Sequence, residues 1–290
     1  MFDNIFAAIE KWMRELLTGM VESNMSTMFT DVNEKTSEIA AQVGRTPQNW
    51  NSNVFSIIQN LSESVVVPIA GIIITLVLCY ELISMLTERN NLHDVDTWMF
   101  FKYFVKAWVA IYLVSNTFTI TMAVFDVGQS VVNSASGIIN GETAIDVSSL
   151  SMQMQAAMAT MEIGELVVLA LETFLVSFCM KIMSVVITVI VYGRMIEIYL
   201  YTSLAPIPFA TMSNREWGHV GTNYFRGLFA LAFQAFLMMV CVAIYAALIS
   251  SVRISSNMHS ALIGVAAYTV ILCFSLMKTG SLSKQIFGSH

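Results

Sequence analysis

The chain has 290 residues, of which 56% are hydrophobic and 12% are charged. Soluble domains carry about 25% charged residues, so this composition excludes a soluble globular protein and indicates an integral membrane protein. The length leaves room for about five or six spans of roughly 20 residues each. The net charge of −6 gives the chain as a whole no basic footprint for nucleic acid.

Cysteines and histidines indicate no metal site and no cofactor. All four cysteines lie in apolar runs without a Cys-x-x-Cys pair, so we expect them to pack rather than to form disulfides or bind zinc. The histidines are scattered, and no nucleophile motif or phosphate-binding loop is present, so we expect no catalytic residues and no enzyme activity. Asp3 lies where a signal peptide has lysines, so we expect the N-terminus to be retained.

Residues 1–64 are predicted to form an amphipathic and polar region on the outer face. Apolar residues recur at helical spacing over 2–20 and include Trp12, which suits the membrane interface; packing on a partner protein is the alternative. Residues 21–49 indicate a short helix and a loop. A second amphipathic run over 50–61 leads into the first span.

Residues 65–125 are predicted to contain the first two spans, joined by a cytoplasmic turn. The first span covers 65–86, with Pro68 in its first turn, where proline costs little. The second span covers about 98–125 and begins with aromatic residues and lysines, which mark a membrane–water interface. The predicted interface anchors are Trp12, Trp98, Lys102, Lys106 and Trp108.

The second half of the chain is predicted to form an outer segment, a group of core spans and a tail. Residues 126–164 contain acids but no lysine or arginine, so we expect them outside the cytoplasm. The core region is 165–277, and residues 278–290 form a cytoplasmic tail. The apolar runs of the core cover about 166–192, 224–249 and 262–277.

A broken segment at 194–223 interrupts this core. Pro206 and Pro208 remove two backbone donors from an apolar stretch. Lipid offers no water to satisfy the freed carbonyls, so the break must be buried in protein or line a cavity. We expect a re-entrant elbow, whose residues are Pro206, Pro208, Arg194, Arg215 and Trp217.

Positive charge near the span ends favours five spans over six. If the elbow turns back, the N-terminus lies outside, the C-terminus lies inside, and only Arg253 among the basic residues near a span faces out. If the segment crosses, the asymmetry almost vanishes. The residues that face the cytoplasm in the five-span arrangement are Arg89, Lys102, Lys106, Arg194, Arg215, Arg226, Lys278 and Lys284.

Lys181 carries an intramembrane charge near the middle of the third run. A charge there costs about 2.5–3.5 kcal/mol on insertion scales, so we expect it to face the bundle interior or a wet cavity with an acidic partner. Glu172 and Glu197 are the candidate partners, although neither lies at i±3 or i±4. An ion pair that fixes helix packing and a residue that lines a conduit are both open interpretations.

The stretch from Gly193 to Phe229 resembles the TrbL-type family, the polytopic inner-membrane subunits of type IV secretion and conjugation systems. The similar features are Gly193-Arg194 at the end of a span, Leu204-Ala205-Pro206 at the break, a polar turn with Arg215 and Trp217, and a new span with Arg226. Pro208 and Lys181 have no clear counterpart in this pattern. The layout of the remaining chain is also similar.

The resemblance implies an all-α helical bundle in the bacterial cytoplasmic membrane, with about five spans, the elbow and an N-terminal interfacial helix. It implies a homo-oligomer that contacts an ATPase, a bitopic membrane subunit and a minor pilin-like protein, and that supports the passage of DNA or protein and assembly of the surface fibre. The alternative is a small-solute or ion transporter with Lys181 at its site. That class is expected to show internal repeats and a second broken span, and neither is apparent.

Overall fold

The structure is a computed structural model that describes residues 2–87, 97–139, 147–252 and 258–289. These ranges contain helices and no β-strand, which confirms the all-α prediction. Five helical stretches in them are long and apolar enough to cross a membrane, as predicted: Ser52–Thr87, Trp98–Ser115, Ile163–Ser203, Gly218–Ser250 and Met258–Phe287. The polar turn expected between the first two spans, with Arg89, and the position of Arg253 lie outside the described residues.

The helices are numbered in chain order. Short helices α2, α3 and α9 lie at chain turns or next to a span, and α7 lies in the predicted outer segment. The bounds are α1 (Phe2–Val43), α2 (Pro47–Trp50), α3 (Ser52–Leu61), α4 (Val67–Thr87), α5 (Thr97–Ser115), α6 (Thr117–Ile139), α7 (Val147–Met158), α8 (Ile163–Ser203), α9 (Pro206–Thr211), α10 (Gly218–Ser250) and α11 (Met258–Phe287).

The chain forms two compact units, and each combines three separate stretches of sequence. Unit 1 consists of Met1–Val43, Ser134–Val191 and Met238–Lys278, and unit 2 consists of Gly44–Asn133, Tyr192–Leu237 and Thr279–His290. Helices α6, α8, α10 and α11 contribute residues to both units. The five predicted segments therefore describe expected sides of the membrane and do not correspond to folding units.

Helix α1 is longer than predicted. Residues 21–43, expected as a short helix and a loop, continue the helix that begins at Phe2. The reason is a regular apolar face, which the polar composition of this stretch obscures. Its buried members recur at intervals of three, four or seven residues, which bring side chains onto one side of a helix: Val21, Met25, Met28, Val32, Ile39 and Val43.

Pro68 is the second residue of α4 and so lies in its first turn as predicted, but α4 continues a helical run that begins earlier. The run begins at Ser52, and a π-helical turn over Ser62–Val66 precedes the proline. Proline has no N–H to donate and its ring collides with the carbonyl four residues earlier, so a regular α-helix would be strained here. A wider π turn, in which Val67 N–H donates to Ser62 O, lies immediately before Pro68 and relieves that strain.

Helix α6 extends the second span into the predicted acidic segment. The helical run expected to end near Phe125 bends at Asn116 and then continues to Ile139. Part of this extension is held in unit 2, because Gln129 Nε2 donates to Gly44 O at 2.7 Å. Gly128 lies against α10, where a Cβ atom would come within 2.9 Å of Ala232 O.

Substitution of Gly128 tests this close approach. Gly128→Ala gains about 1 kcal/mol of helix propensity, but the contact with a rigid backbone carbonyl costs about 1–3 kcal/mol. We expect a lower thermal unfolding midpoint for the detergent-solubilised protein. Gly193→Ala is the matched control, since nothing lies within 4 Å of its added Cβ, and its midpoint should stay constant or rise. Equal midpoints for the two variants would contradict the packing of α6 on α10.

Candidate functional site

The break in the third apolar run is shorter than the predicted elbow. Helix α8 continues through Arg194 to Ser203, so the chain leaves helical geometry only after residue 203. A turn at Leu204 and Ala205 leads into α9, and further turns over 212–217 precede α10. We call residues 204–217 the elbow.

Both prolines of the elbow lie in the first turn of α9. Pro206 begins this helix, and Pro208 follows two residues later. The first four N–H groups of an α-helix have no intrahelical acceptor, so a proline there removes no helical hydrogen bond. The two prolines therefore end α8 and start α9 without leaving unpaired carbonyls inside a long helix.

The α9 part of the elbow is largely buried in protein, one of the two environments allowed for a helix break in lipid, whereas Leu204 and residues 215–217 are exposed. Its apolar side chains pack against α4, α5 and the start of α10 within unit 2. Pro206, Phe209 and Ala210 are all buried. The residues that form this cluster are Ala70, Ile74, Ala110, Val114, Ala205, Phe209, Ala210 and Tyr224.

Two tyrosines close the hairpin that the elbow makes between α8 and α10. Tyr201 Oη donates to Tyr224 O at 3.1 Å, and Tyr224 Oη donates to Tyr201 O at 2.7 Å. Their rings stack with centroids 4.4 Å apart and planes 5° apart. A Cβ atom on Gly227 would lie 2.2 Å from Tyr201 Oη, so only glycine leaves room for this ring. We call Tyr201 and Tyr224 the tyrosine clamp.

The end of the elbow is fixed by Asn214 and by an aromatic contact with α4. Asn214 is buried, and its Oδ1 accepts from the N–H groups of Glu216 and Trp217 at 2.7 and 2.9 Å. Trp217 stacks on Tyr80 at 6.0 Å, and Tyr80 Oη donates to Glu216 Oε1 at 3.0 Å. Arg215 is exposed beside these residues.

Arg194 is a buried residue of α8 and does not belong to the elbow itself. Only 6% of its surface is exposed, and Nη2 donates to Leu231 O of α10 at 3.3 Å. This bond and the tyrosine clamp both join α8 to α10, at positions 194–231 and 201–224. From one contact to the other the residue number rises along α8 and falls along α10, so the two helices run antiparallel within unit 2.

The acidic partners expected for Lys181 bind other residues. Glu172 contacts His259 of α11, and Glu197 accepts from Lys284 of α11 at 3.1 Å. Lys181 is exposed on α8 and makes no hydrogen bond or ion pair with any described residue. These pairs could not be predicted from local helical spacing, because each joins two residues that are 87 positions apart.

The predicted interface anchors lie on exposed faces. Trp98 and Trp108 of α5 and Trp12 of α1 are each more than half exposed. Lys102 Nζ lies 5.7 Å from the centre of the Trp98 ring, and Lys106 forms an ion pair with Glu81 of α4. Glu81 as the partner of Lys106 was not expected from the sequence. The interfacial role of these residues stays a prediction.

A protein-family comparison matches residues 32–206 to the family described as TrbL/VirB6 plasmid conjugal transfer like protein. This range is more than half of the chain. The chain belongs to the TrbL/VirB6 family. No curated protein and no solved structure matches it.

Membership of the TrbL/VirB6 family confirms the resemblance inferred from the break. It identifies a multi-pass membrane component of a conjugal transfer or type IV secretion system. The matched range includes Arg194 and ends at Pro206, so Pro208, Arg215 and Trp217 lie beyond it. Their similarity to the family stays a prediction.

The tyrosine clamp can be tested by removing one hydroxyl at a time. Tyr201→Phe and Tyr224→Phe each delete one hydrogen bond to a buried carbonyl, which should cost about 1–3 kcal/mol and lower the thermal unfolding midpoint. Tyr268→Phe in α11 is the matched control, because its hydroxyl has no hydrogen-bond partner among the described residues, and we expect no change. Midpoints of both clamp variants equal to the control would contradict the clamp.

Proposed function

We propose that this TrbL/VirB6-family protein is a scaffold and channel component of a bacterial type IV secretion machine for conjugal transfer. It assembles as a homo-oligomer in the cytoplasmic membrane and supports the passage of DNA or protein and assembly of the surface fibre. Its partners are the ATPase, the bitopic membrane subunit and the minor pilin-like protein of the machine. This role requires no bond chemistry from the chain itself.

The observation that carries the proposal is the buried elbow. A simple membrane anchor has no need for a helix break, whereas this chain builds a protein core from α4, α5, α9 and α10 around one. Irregular backbone at membrane depth occurs where it is buried in protein or lines a cavity. The elbow thus gives unit 2 a rigid core between spans, which suits a part that holds other subunits in place.

The turn of the chain at the elbow also supports the proposed orientation. Because α8 and α10 are antiparallel in unit 2, the elbow reverses the direction of the chain. The three basic residues Arg215, Arg226 and Lys284 then remain on the same side as Lys102 and Lys106, as the positive-inside rule favours for the cytoplasmic side. We infer that the N-terminus lies outside and the C-terminus inside.

The transporter alternative finds no support in the arrangement of Lys181. A solute site around this residue needs convergent polar groups, yet Glu172 and Glu197 are both paired with α11. A binding site of this kind would require at least one of these two carboxylates near the Lys181 ammonium group.

Deletion of the gene from the conjugative DNA that carries it tests the proposed function. We expect conjugal transfer to fall to background and to return when the wild-type gene is supplied. Crosslinking of the native protein should recover the ATPase, the bitopic subunit and the pilin-like protein. Normal transfer from the deletion strain, especially together with altered uptake of a small solute, would refute the role.

Single cysteines at the two ends of α10 test the orientation. In a chain with Cys79, Cys179, Cys241 and Cys273 changed to alanine, we expect His219→Cys to react with a membrane-impermeant maleimide only in inverted vesicles. Ser251→Cys, the matched control at the other end of α10, should react in intact cells. Both positions are exposed. The reverse pattern would overturn the orientation, and reaction of both sites from one side would show that α10 does not span.

A further inference from the structure

Helix α1 carries an exposed polar face over its second half. The exposed positions follow one another at intervals of three or four residues and so lie on one side of the helix. They cover about 21 Å along the axis at 1.5 Å per residue. We call this face the polar stripe, and its members are Ser23, Ser26, Thr30, Glu34 and Ser37.

Helix α8 exposes an apolar face in the same unit. Six large side chains, each between 46% and 65% exposed, form it. Such a continuous apolar surface on a helix long enough to cross a membrane is unfavourable in water and requires lipid or protein against it. We call this face the apolar stripe, and its members are Phe174, Leu175, Phe178, Ile182, Val185 and Val189.

Hydrogen bonds hold the two stripes at the same depth. Asn24 Nδ2 donates to Thr173 Oγ1 at 3.5 Å, and Lys35 Nζ donates to Thr188 Oγ1 at 3.2 Å. From the first bond to the second the residue number rises on both helices, so α1 and α8 run side by side in the same direction. Residues 24–35 therefore lie next to residues 173–188.

The two stripes need different surroundings. The apolar stripe fits the acyl chains of the bilayer, whereas Glu34 is exposed and would be expensive in hydrocarbon, as any ionised side chain is at this depth. Water beside α1 and lipid beside α8 at one depth are compatible if a water-filled passage runs along α1, which would place residues 23–37 inside the membrane and not on the outer face expected from the sequence. We propose that the polar stripe lines such a passage, which other copies or subunits close; this inference rests on the proposed function.

The charges near the stripe indicate what the passage favours. Glu34 lies on the stripe itself and Glu22 lies on its flank, whereas Glu38 is paired with Lys35 and Asp31 lines a cavity beside α8. An anionic wall attracts hydrated cations and basic polypeptide segments and repels a phosphate backbone. The passage therefore favours cations over anions.

Lys181 fits this arrangement at the edge of the apolar stripe. At 100° per residue it lies within about 20° of Thr188, the residue that contacts Lys35. A small cavity of about 20 Å³ lies nearby among α1, α8, α10 and α11, and Asp31, Lys35 and Ser184 are among its lining residues. A lysine at this edge can extend its ammonium group along the side of α8 that faces α1, which keeps the charge out of the acyl chains.

Cysteine labelling in cells that contain the whole machine tests the passage. In the chain without native cysteines, we expect Ser26→Cys and Thr30→Cys to react with a cationic, membrane-impermeant thiosulfonate. The matched positions Phe178→Cys and Val185→Cys should stay unlabelled. A Glu34→Lys change should slow the cationic reagent at Thr30→Cys and speed an anionic thiosulfonate at the same site; unchanged rates would overturn the anionic wall.

A second measurement distinguishes lipid from covering protein at the apolar stripe. The purified oligomer is placed in vesicles of phosphatidylethanolamine and phosphatidylglycerol, with a bimane fluorophore on a single cysteine. Doxyl-labelled lipid should quench the fluorophore on Val185→Cys. It should not quench the fluorophore on Thr30→Cys. An unquenched probe at Val185→Cys would overturn the inference, as would aqueous labelling of all four positions or of none. The deletion strain tests the proposed function separately, because its transfer defect does not depend on which face meets water.

Discussion

The fold of unit 2 depends on how backbone polar groups are satisfied where the long apolar helix α8 stops at the elbow. Water is not present in hydrocarbon, so each freed carbonyl or N–H group needs a partner from the protein. The tyrosine clamp supplies hydroxyls to two carbonyls, and Asn214 supplies its Oδ1 to two N–H groups. Thr211 Oγ1 donates to Pro208 O in the same way. These side chains take the place of solvent, and the elbow is possible only because α4 and α5 bury it.

The same contacts determine the direction of the last two spans. In unit 2, α10 runs antiparallel to α8, and Ser283 of α11 donates to Ala230 O while Gln234 donates to Thr279. These two bonds make α11 antiparallel to α10 and hence parallel to α8. The ion pair between Lys284 and Glu197 then joins two parallel helices. A chain that reverses at the elbow and again after α10 returns its C-terminus to the side of the elbow, independently of any count of positive charges.

The sequence was sufficient for features that depend on composition and proline chemistry. Apolar length together with the distribution of positive charge predicted five spans, and Pro206 and Pro208 predicted a break after the third, although α8 continues past its expected end to Ser203. It was insufficient where long-range packing decides the outcome. The polar residues of α1 suggested a loop because their buried neighbours, such as Met25 and Met28, find partners only in the folded unit. Glu172 was a candidate partner of Lys181, and its actual partner, His259, was not foreseen because it lies on a helix that spacing alone cannot bring near.

The exposed apolar surface of α8 is longer than the hydrocarbon core of a bilayer. Its exposed apolar side chains extend from Val167 to Leu204, about 55 Å at 1.5 Å per residue. The hydrocarbon core is about 30 Å thick, and a helix tilted by 40° has only about 39 Å inside it. If the apolar stripe over 174–189 meets acyl chains, part of the surface that continues toward Leu204 lies in the headgroup region or against protein. That surface leads directly to the elbow, so the end of α8 that extends beyond the acyl chains is the end next to the buried α9.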